Sequence, residues 1–580
     1  MALRKYSMMV VKAGVGLFPQ SFRNYLKKSP ALTSFYSHSL QKSGLFYGFP
    51  SKKKTTALYK QLLAHQEIQL AQQKSASSKK VNVLIFGFNK KISITLNSLS
   101  TNFDLINSVY CIEKESLARD IDELIFVSSI SDIDTVDFPL LCINSGDQLY
   151  ERTIEALANQ SADIVYCDSD NTVKGVRVEP RLLPDWNPDL QFSTGYINSG
   201  VLLSSDLVKR VVVSGNFTTL YDIPSLLTSL VIKCENLTIN HIPLSLVCAP
   251  QVKKRTVSAL NNIAQILKDE GATTFRHEKQ LVNCIQWPIK KQPLVSLIIP
   301  TKNGKELVKA CIESILEKTT YKNFEIILVD NNSDEPESLA YFSELGQHPK
   351  ITLLKYPHPF NYSAINNFAV SHCNGEVVGL VNNDIEVISP TWLDYMVGHV
   401  MRDDIGCVGA KLLYSDGRVQ HAGVVMGYGG GAGHAHKYFP RYHPGYLNRL
   451  IASNNFSAVT AACLLVKRTH YEAVKGLNEK DLTVAFNDVD FCLKVLELGV
   501  RNLYCAEAEL YHHESVSRGL DVSKEKMARF NSELAYLKAH WGHVIAHDPA
   551  YNPNLTLRHE NFAIKDEKER LKEAKSKTKI

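Results

Sequence analysis

The stretch that decides the fold is LVSLIIPTKNGKELVKACIESILEKTTYKNFEIILVD, residues 294–330. Its start, 294–300, is apolar apart from Ser296, which is typical of a strand buried on both faces. Apolar residues then recur at helical spacing within 305–318, and the next strand is predicted at 324–330. Strands that alternate with helices in this way predict an α/β fold built on a parallel sheet.

A second block of the same texture lies upstream at 81–250, where apolar runs such as VNVLIFGF and PLLCIN alternate with helical stretches. NSGD at 144–147 holds the place in this block that NND at 382–384 holds in the later one. An internal duplication is the simplest account of that correspondence. We therefore predict two α/β domains, at 81–250 and 293–562, joined by a helical connector at 251–292.

The composition is that of a globular protein, since 44% of the 580 residues are hydrophobic and 21% are charged. The 12 cysteines are scattered and lie mostly inside apolar runs, which argues against a zinc cluster and a disulfide scaffold. No apolar run approaches the ~20 residues that a membrane-spanning helix needs. An integral membrane protein is therefore not expected.

Positive charge is concentrated at the start of the chain. Residues 1–66 contain eleven Lys or Arg residues and no acid, although the whole chain carries a net charge of only +6. We predict a basic helical extension and linker over 1–80 that lies on an anionic membrane surface. A solvated extension without a membrane role is the alternative, and an organelle transit peptide also fits the composition. Nucleic acid is not expected as a partner, because no reading motif is present, and the charged tail at 563–580 is predicted to be a solvated helix.

Acids and amides stand where the predicted strands of the later block end. Asp330 closes one strand, and Asn382, Asn383 and Asp384 follow another in GEVVGLVNNDIEVIS. Ligand-binding groups of open α/β sheets gather at such strand ends. A carboxylate there can hold a divalent cation that in turn grips a diphosphate, although helix capping and turn formation are common alternatives.

Two further acids open a predicted helix in LTVAFNDVDFCLKVLELG, residues 482–499. The helix dipole would keep Asp488 and Asp490 ionised, so that either can serve as a general base toward a hydroxyl. Simple N-capping is the alternative interpretation.

Two histidines and an arginine follow in AELYHHESVSRG, residues 508–519. A neutral imidazole of His512 or His513 could complete a metal site, and Arg518 could contact phosphate oxygens. Histidine is also common as a hydrogen-bonded structural residue.

The glycine-rich segment GYGGGAGHAHK, residues 427–437, is typical of backbone that closely approaches a ligand. A lid over the substrates and a tight structural turn both fit it. His434 and His436 would point to opposite faces of an extended segment, so a metal ion shared between them is not expected.

Nine ordered motifs resemble those of family 2 glycosyltransferases, and most closely bacterial enzymes of O-antigen, capsule and other surface-polysaccharide synthesis, including rhamnosyltransferase-type members. The likeness is dense over 293–562 and loose over 81–250. The motifs are PLVSLIIPTKNG, CIESILEKTTYKNFEIILVDNNSD, FNYSAINNFAV, NNDIEVISPTWL, VGAKLLYSDGRVQHAGVV, GHAHK, TAACLLVKR, AFNDVDFCLK and YHHESVSRG.

This resemblance implies a GT-A fold, a dTDP- or UDP-sugar donor, a Mg²⁺ or Mn²⁺ ion, and inversion at the anomeric carbon. It implies that Pro300, Thr301 and Asp330 line the pocket for the base and ribose. The acceptor would be a glycan or a polyprenyl-linked sugar, and the enzyme would be cytoplasmic, peripheral on the inner face of the cytoplasmic membrane.

The resemblance also assigns roles to the acids and histidines. Asp384 stands at the last acid of the family's D-x-D motif and would bind the metal, whereas the first acid of that motif is missing here. Asp488 stands at the family's E-D position, with Asn in place of the Glu, and would be the catalytic base with Asp490 in support. His512 or His513 would complete the metal site, and the sequence does not decide between them.

The earlier block departs from the family pattern. Its NSGD replaces an acid-rich motif, and Asp222-Ile223-Pro224 lacks the second acid of its pair. We therefore predict that this copy is degenerate, transfers no sugar, and serves in acceptor binding or as a scaffold. A bifunctional polymerase that uses both copies and a non-catalytic glycan-binding or assembly protein are the alternatives.

Overall fold

The computed structural model describes residues 49–72, 79–112, 124–215, 217, 222–276, 281–513 and 524–577. These residues form two compact units. The N-terminal unit contains Ser51–Ile285, Pro549–Thr556 and 563–577. The C-terminal unit contains 49–50, Gln286–Asp548 and Leu557–Phe562.

Strands and helices alternate through both units, as the sequence predicts. The strands are β1 Val81–Phe86, β2 Ile106–Ile112, β3 Ile125–Val127, β4 Leu140–Asn144, β5 Gln148–Leu149, β6 Ile164–Val173, β7 Val176–Arg181, β8 Val201–Leu203, β9 Ile239–Cys248, β10 Thr273–Arg276, β11 Asn283–Gln286, β12 Val295–Thr301, β13 Phe324–Asp330, β14 Ile351–Lys355, β15 Val377–Val381, β16 Ile385–Val387, β17 Ile405–Leu413, β18 Val419–His421, β19 Val424–Met426, β20 Ala432–His434, β21 Asn454–Asn455, β22 Cys463–Lys467 and β23 Arg501–His512. The helices are α1 Lys52–Gln72, α2 Ile92–Leu99, α3 Thr153–Ala158, α4 Pro188–Thr194, α5 Ser205–Ser214, α6 Ile223–Lys233, α7 Lys253–Asp269, α8 Lys305–Lys318, α9 Pro336–Leu345, α10 Tyr362–Val370, α11 Trp392–Val400, α12 Arg468–Ala473, α13 Asn487–Leu496, α14 Lys524–Ala546 and α15 Glu567–Lys577.

The C-terminal unit is built on one mixed sheet with the strand order β14-β13-β12-β15-β22-β17-β23-β16. Strands β12 to β15 are parallel to one another, and β22 runs antiparallel between β15 and β17. Buried side chains cover both faces of β12 and β13, which explains their mainly apolar sequences. The pairing of Thr301 with Asp330 brings the ends of these two strands to the same edge of the sheet.

The N-terminal unit repeats this topology strand for strand, because its order is β3-β2-β1-β4-β8-β6-β9-β5. β5 follows NSGD and pairs with β9, just as β16 follows NND and pairs with β23. The duplication predicted from the sequence is therefore present in the fold.

Helices at both ends of the N-terminal unit pack on its sheet and connections. Tyr59, Leu62 and Gln66 of the basic helix α1 are buried, and the Tyr59 hydroxyl donates a hydrogen bond of 2.6 Å to Asp170. Helix α7, within the predicted connector, packs against α4 and α6.

Two expectations from the sequence concern membrane-spanning helices and disulfides. In the part of the chain that is described, no helix combines the length and the apolar character needed to cross a membrane. All twelve cysteines are described, and none of them forms a disulfide.

Candidate active site

The short strand β16 brings the NND motif next to the end of β23. Ile385 pairs with His512, so Asp384, one residue earlier, meets the imidazole of His512 across the two strands. His512 Nε2 lies 3.1 Å from Asp384 Oδ1, and both side chains are largely buried. The sheet register thus brings together two residues that are 128 positions apart.

The hydrogen bonds of His512 determine which of its ring nitrogens faces Asp384 with a lone pair. Nδ1 lies 2.6 Å from the Gln420 side-chain oxygen, which can only accept, so Nδ1 carries the proton. Nε2 is then an acceptor, and the Asn382 amide is placed to donate to it at 3.2 Å. Two lone-pair atoms 3.1 Å apart repel each other unless a positive charge lies beside both, and a carboxylate with a neutral imidazole is a suitable ligand pair for a divalent cation. Adjacent ligands of an octahedral ion with bonds near ~2.1 Å have about this separation.

His513 faces the other side of the strand. Its Nε2 lies 3.2 Å from Glu386 Oε2, and its Nδ1 lies 2.8 Å from the Ser415 hydroxyl. Only its backbone N–H reaches Asp384, at the carbonyl oxygen. The structure therefore brings His512, and not the side chain of His513, to Asp384.

Asp488 lies in the first turn of α13, and its carboxylate is held by three donors. Oδ2 accepts the Thr460 hydroxyl at 2.9 Å and the Ala461 N–H at 3.2 Å, and Oδ1 accepts the Val489 N–H at 2.9 Å. Burial raises the pKa of Asp488, and these hydrogen bonds offset the rise only in part. A carboxylate with a raised pKa is a stronger base than an ordinary aspartate.

Asp488 and His512 line the same cavity, which has a volume of about 160 Å³. Asn382 also lines it. The remaining lining residues are Tyr362, Gln420, His434, Thr460, Ala461, Ala462, Val484 and Asn487. The cavity therefore brings a carboxylate with a raised pKa into the same space as the imidazole that meets Asp384.

The residues expected to bind the nucleotide lie at the ends of β12 and β13, outside the lining of this cavity. The Asn383 amide donates to the Thr301 hydroxyl at 2.9 Å, which ties the NND motif to the end of β12. Asp330 Oδ1 accepts the Ser333 N–H at 3.0 Å, and the Asp330 side chain is buried. Pro300 precedes Thr301 in the same strand and pairs with Val329.

Asp490 does not reach the cavity. It is buried and accepts a hydrogen bond of 2.9 Å from the Trp541 indole, and Lys494 lies 3.4 Å away. It therefore fixes α13, which carries Asp488, against α14. Arg518 lies outside the described residues.

Comparison with known proteins identifies the fold family. Residues 296–473 match the family model described as Glycosyl transferase family 2. The chain carries a domain of glycosyl transferase family 2. This match and the two mixed sheets confirm the GT-A fold predicted from the sequence, present twice.

The alignments with two curated relatives are longer than the region that matches the family model. The chain is 42% identical to the uncharacterized protein y4gI of Sinorhizobium fredii over 425 residues, which is 70% of this chain and 46% of that protein. It is 32% identical to the O-antigen biosynthesis protein RfbC of Myxococcus xanthus over 428 residues, 70% of this chain and 32% of that protein. The chain thus spans less than half the length of both relatives. A mannosyltransferase of Pyrobaculum calidifontis, solved with GDP-Man and Mn²⁺, aligns with 43% of this chain and 64% of its own at 17% identity and a TM-score of 0.32.

Four residues of the family 2 domain that the sequence did not single out as site residues contribute to the cavity: Tyr362, Gln420, Thr460 and His421. His421 lies beneath the cavity, and the other three line it. All four occur inside motifs that carry the family resemblance. The motifs could therefore have marked them, but only the fold shows that they lie together.

The glycine-rich segment, 427–437, forms the turn of the hairpin β19–β20 and the second strand of that hairpin. Gly427 has a φ of 94°, and an added Cβ would come within 2.9 Å of the Ile545 carbonyl. His434 faces the cavity, whereas His436 is fully buried and stacks on Phe562. The two histidines therefore occupy different surroundings, as expected.

A second group of possible metal ligands, His399, Cys505 and Glu507, lies within 4.8 Å on α11 and β23, outside the cavity lining. Burial raises the pKa of the Cys505 thiol well above its ordinary value, and its Sγ donates to Glu507 at 3.7 Å. A protonated thiol is a poor metal ligand.

The N-terminal unit has different residues at the corresponding positions. Asp147 precedes β5 as Asp384 precedes β16, but Cys248 replaces His512 as the residue at the start of the strand pairing. Asp147 is fully buried, accepts the Ser199 hydroxyl at 2.6 Å, and has the Arg255 guanidinium 3.5 Å from Oδ1. The positive charge beside Asp147 is therefore supplied by the side chain of Arg255.

Asp222 stands where Asp488 stands in the C-terminal unit, but it caps a helix. Its Oδ1 accepts the Ser225 N–H at 2.8 Å, and its Oδ2 accepts the Asn262 amide at 2.7 Å. Both oxygens of Asp222 are therefore engaged within the unit.

Proposed function

We propose that the C-terminal unit transfers a sugar from a nucleotide-sugar donor to a glycan or lipid-linked acceptor, with a divalent cation and with inversion at the anomeric carbon. The observation that carries this proposal is that Asp488 and His512 line one cavity, with Asp384 3.1 Å from His512. The family match supports glycosyl transfer as the reaction class.

The proposed roles of the residues follow from the charges of the groups that they would bind. Asp384 and His512 would hold Mg²⁺ or Mn²⁺, which, when bound, stabilises the negative charge that develops on the departing nucleoside diphosphate. Thr301, Asp330 and Asn383 at the strand ends would position the base and ribose, with Pro300 shaping the same edge.

Asp488 accepts the proton of the acceptor hydroxyl. The freed oxygen forms a bond to the anomeric carbon, and the bond from that carbon to the diphosphate breaks with its electron pair leaving on the diphosphate. A single displacement of this kind inverts the anomeric centre.

A role in surface-polysaccharide synthesis is supported by two relatives. One is the O-antigen biosynthesis protein of Myxococcus xanthus, and the other is a putative colanic acid biosynthesis glycosyl transferase of Escherichia coli, 30% identical over 111 residues. We propose the same class of acceptor here, at the cytoplasmic face of the membrane.

The proposal is tested by a donor panel of dTDP-rhamnose, UDP-galactose and UDP-N-acetylglucosamine, scored for nucleoside diphosphate release with Mn²⁺, with Mg²⁺ and with EDTA. We expect release from at least one donor that EDTA abolishes and that Asp384→Asn reduces by more than about a hundredfold, because the cation supplies several kcal/mol. The adjacent histidines form a matched pair. His512→Gln should raise the Mn²⁺ concentration for half-maximal rate at least about tenfold, and His513→Gln should leave it unchanged. Metal-independent release, or equal effects of the two variants, would contradict the assignment.

We further propose that the basic residues 1–66 bind an anionic membrane surface. Most of this segment lies outside the described residues, and the charge of the sequence alone supports the idea. Full-length protein should sediment with phosphatidylserine vesicles at low salt, and the chain without residues 1–66 should not. Equal sedimentation of both would show that the segment is not the anchor.

A further inference from the structure

A buried histidine beneath the cavity has a fixed tautomer. His421, at the end of β18, is fully buried, and two backbone N–H groups are directed at its Nε2, from Gly423 at 3.3 Å and from Thr460 at 3.5 Å. Backbone N–H groups only donate, so Nε2 of His421 is an acceptor without a proton. Gly423 lies so close to the Phe456 ring that a Cβ on this residue would come within 2.2 Å of it.

This tautomer determines that of His434. The Nδ1 atoms of the two rings lie 2.8 Å apart. A neutral His421 without a proton on Nε2 carries it on Nδ1 and donates to His434 Nδ1, which must then accept. His434 carries its own proton on Nε2, the ring nitrogen that remains for the cavity.

Both rings are uncharged. Burial lowers the pKa of His421 well below its ordinary value, and burial together with Lys437 and His512 lowers the pKa of His434 to about 3. Near neutral pH the pair therefore contains two protons and no net charge.

We propose that His434 presents a fixed, neutral Nε2–H donor to the cavity and binds a sugar hydroxyl oxygen there, with His421 as the positioning residue that holds it in this tautomer. This inference rests on the proposed glycosyl transfer for the identity of its ligand. The arrangement of the two rings stands independently of it.

The tautomer also separates His434 from the metal-binding pair. To ligate a cation through Nε2, His434 would have to carry its proton on Nδ1 instead. That proton would then face the Nδ1 proton of His421, and the two N–H donors would repel each other. His421 could avoid this repulsion only by moving its own proton to Nε2, which would break both backbone hydrogen bonds. His512, held in the opposite tautomer by Gln420, presents a lone pair to the same cavity.

A sugar oxygen fits this donor better than a phosphate does. Phosphate sites in proteins use charged Arg or Lys side chains or helix N-termini, and the described residues that line the cavity include neither Arg nor Lys. A neutral N–H adds no charge to the site and is matched by a neutral hydroxyl oxygen.

The tautomer is measured directly by ¹⁵N–¹H NMR on full-length protein labelled in its histidines, with His434→Gln and His421→Leu spectra for assignment. We expect His434 to be a neutral Nε2–H form and His421 a neutral Nδ1–H form, both unchanged between pH 6 and 8.5. In His421→Leu, the His434 signals should become a mixture of both tautomers. A proton on Nδ1 of His434, or a charged ring at pH 6.5, would overturn the proposal whether or not any donor is turned over.

The ligand is tested by kinetics with the best donor of the panel, comparing His434→Gln, which keeps an N–H donor, with His434→Leu, which does not. Loss of one neutral hydrogen bond should lower kcat/KM about tenfold in His434→Leu, with partial recovery in His434→Gln. The affinity for UDP with Mn²⁺, which contains no transferred sugar, should be the same in all forms and also shows that the variants are folded.

Two assays distinguish whether the hydroxyl belongs to the donor sugar or to the acceptor. A loss seen in donor hydrolysis without acceptor assigns it to the donor sugar, and a loss seen only in transfer to an added glycan assigns it to the acceptor. The exposed His540→Gln is the matched control. Equal rates of His434→Leu and wild type in both assays, or an equal loss of UDP affinity, would overturn the proposal.

Discussion

Among single residues, Asp488 is the one whose protonation determines the activity we propose. Burial raises its pKa, and a general base works only while it is ionised. The rate therefore decreases as the pH falls through this raised pKa, at a higher pH than for an ordinary aspartate.

A substitution at Thr460 provides a way to shift the acid limb of this pH–rate profile. Its hydroxyl donates to Asp488 and stabilises the charged form, so Thr460→Val should raise the pKa of Asp488 further. We expect the acid limb of kcat/KM to move to higher pH, by the equivalent of one hydrogen bond of ~1 kcal/mol, and the rate at pH values well above that limb to change little. Full pH profiles of kcat/KM check this expectation. An acid limb that stays in place or moves to lower pH would show that Asp488 is not the titrating base.

Among the helices, α14 holds the loop that leads into α13. Glu533 of α14 is buried and accepts the Thr483 hydroxyl and the N–H groups of Val484 and Ala485, at 3.1, 2.9 and 3.2 Å. A carboxylate that accepts three donors fixes the backbone immediately before Asp488.

Glu533→Gln leaves only one accepting oxygen for these three donors. We expect it to lower the free energy of unfolding by about 1–3 kcal/mol and to reduce kcat more than it changes donor KM, because the loop positions the base and not the nucleotide. Urea unfolding and steady-state kinetics measure the two effects, with the exposed neighbour Ser532→Ala as control. A variant as stable and active as the control would contradict this role of α14.

The sequence predicts the strands that carry the site better than it predicts which of their residues lie close together. Apolar runs at 294–300 and 324–330 predict β12 and β13, and because parallel strands end at one edge, Asp330 and Asp384 are correctly placed at strand ends. The choice between His512 and His513 depends on the register of β16 against β23, and a shift by one residue would exchange them.

Other parts of the site have no signal in the hydrophobic pattern of the sequence. Gln420 reaches the cavity from β18, which forms a local hairpin with β17, and Thr460 reaches it from the turn before β22, which pairs with the distant strand β15. Their contribution follows from tertiary structure alone, which hydrophobic periodicity does not encode.

At the scale of the whole molecule, one topology is used twice with different chemistry. The eight-strand order is the same in both units, yet the N-terminal unit has Arg255 beside Asp147, Cys248 in place of His512, and Asp222 engaged as a helix cap. We propose that only the C-terminal unit transfers sugar.

The most direct test of this account compares Asp488→Asn with Asp222→Asn in full-length protein, by the rate of Mn²⁺-dependent nucleoside diphosphate release from the best donor. Asparagine keeps the size of both side chains and remains a good helix cap at position 222. We predict that Asp488→Asn lowers the rate by about 10²- to 10⁴-fold and that Asp222→Asn stays within about twofold of wild type. A comparable loss in both variants, or an active Asp488→Asn, would contradict the assignment of catalysis to the C-terminal unit.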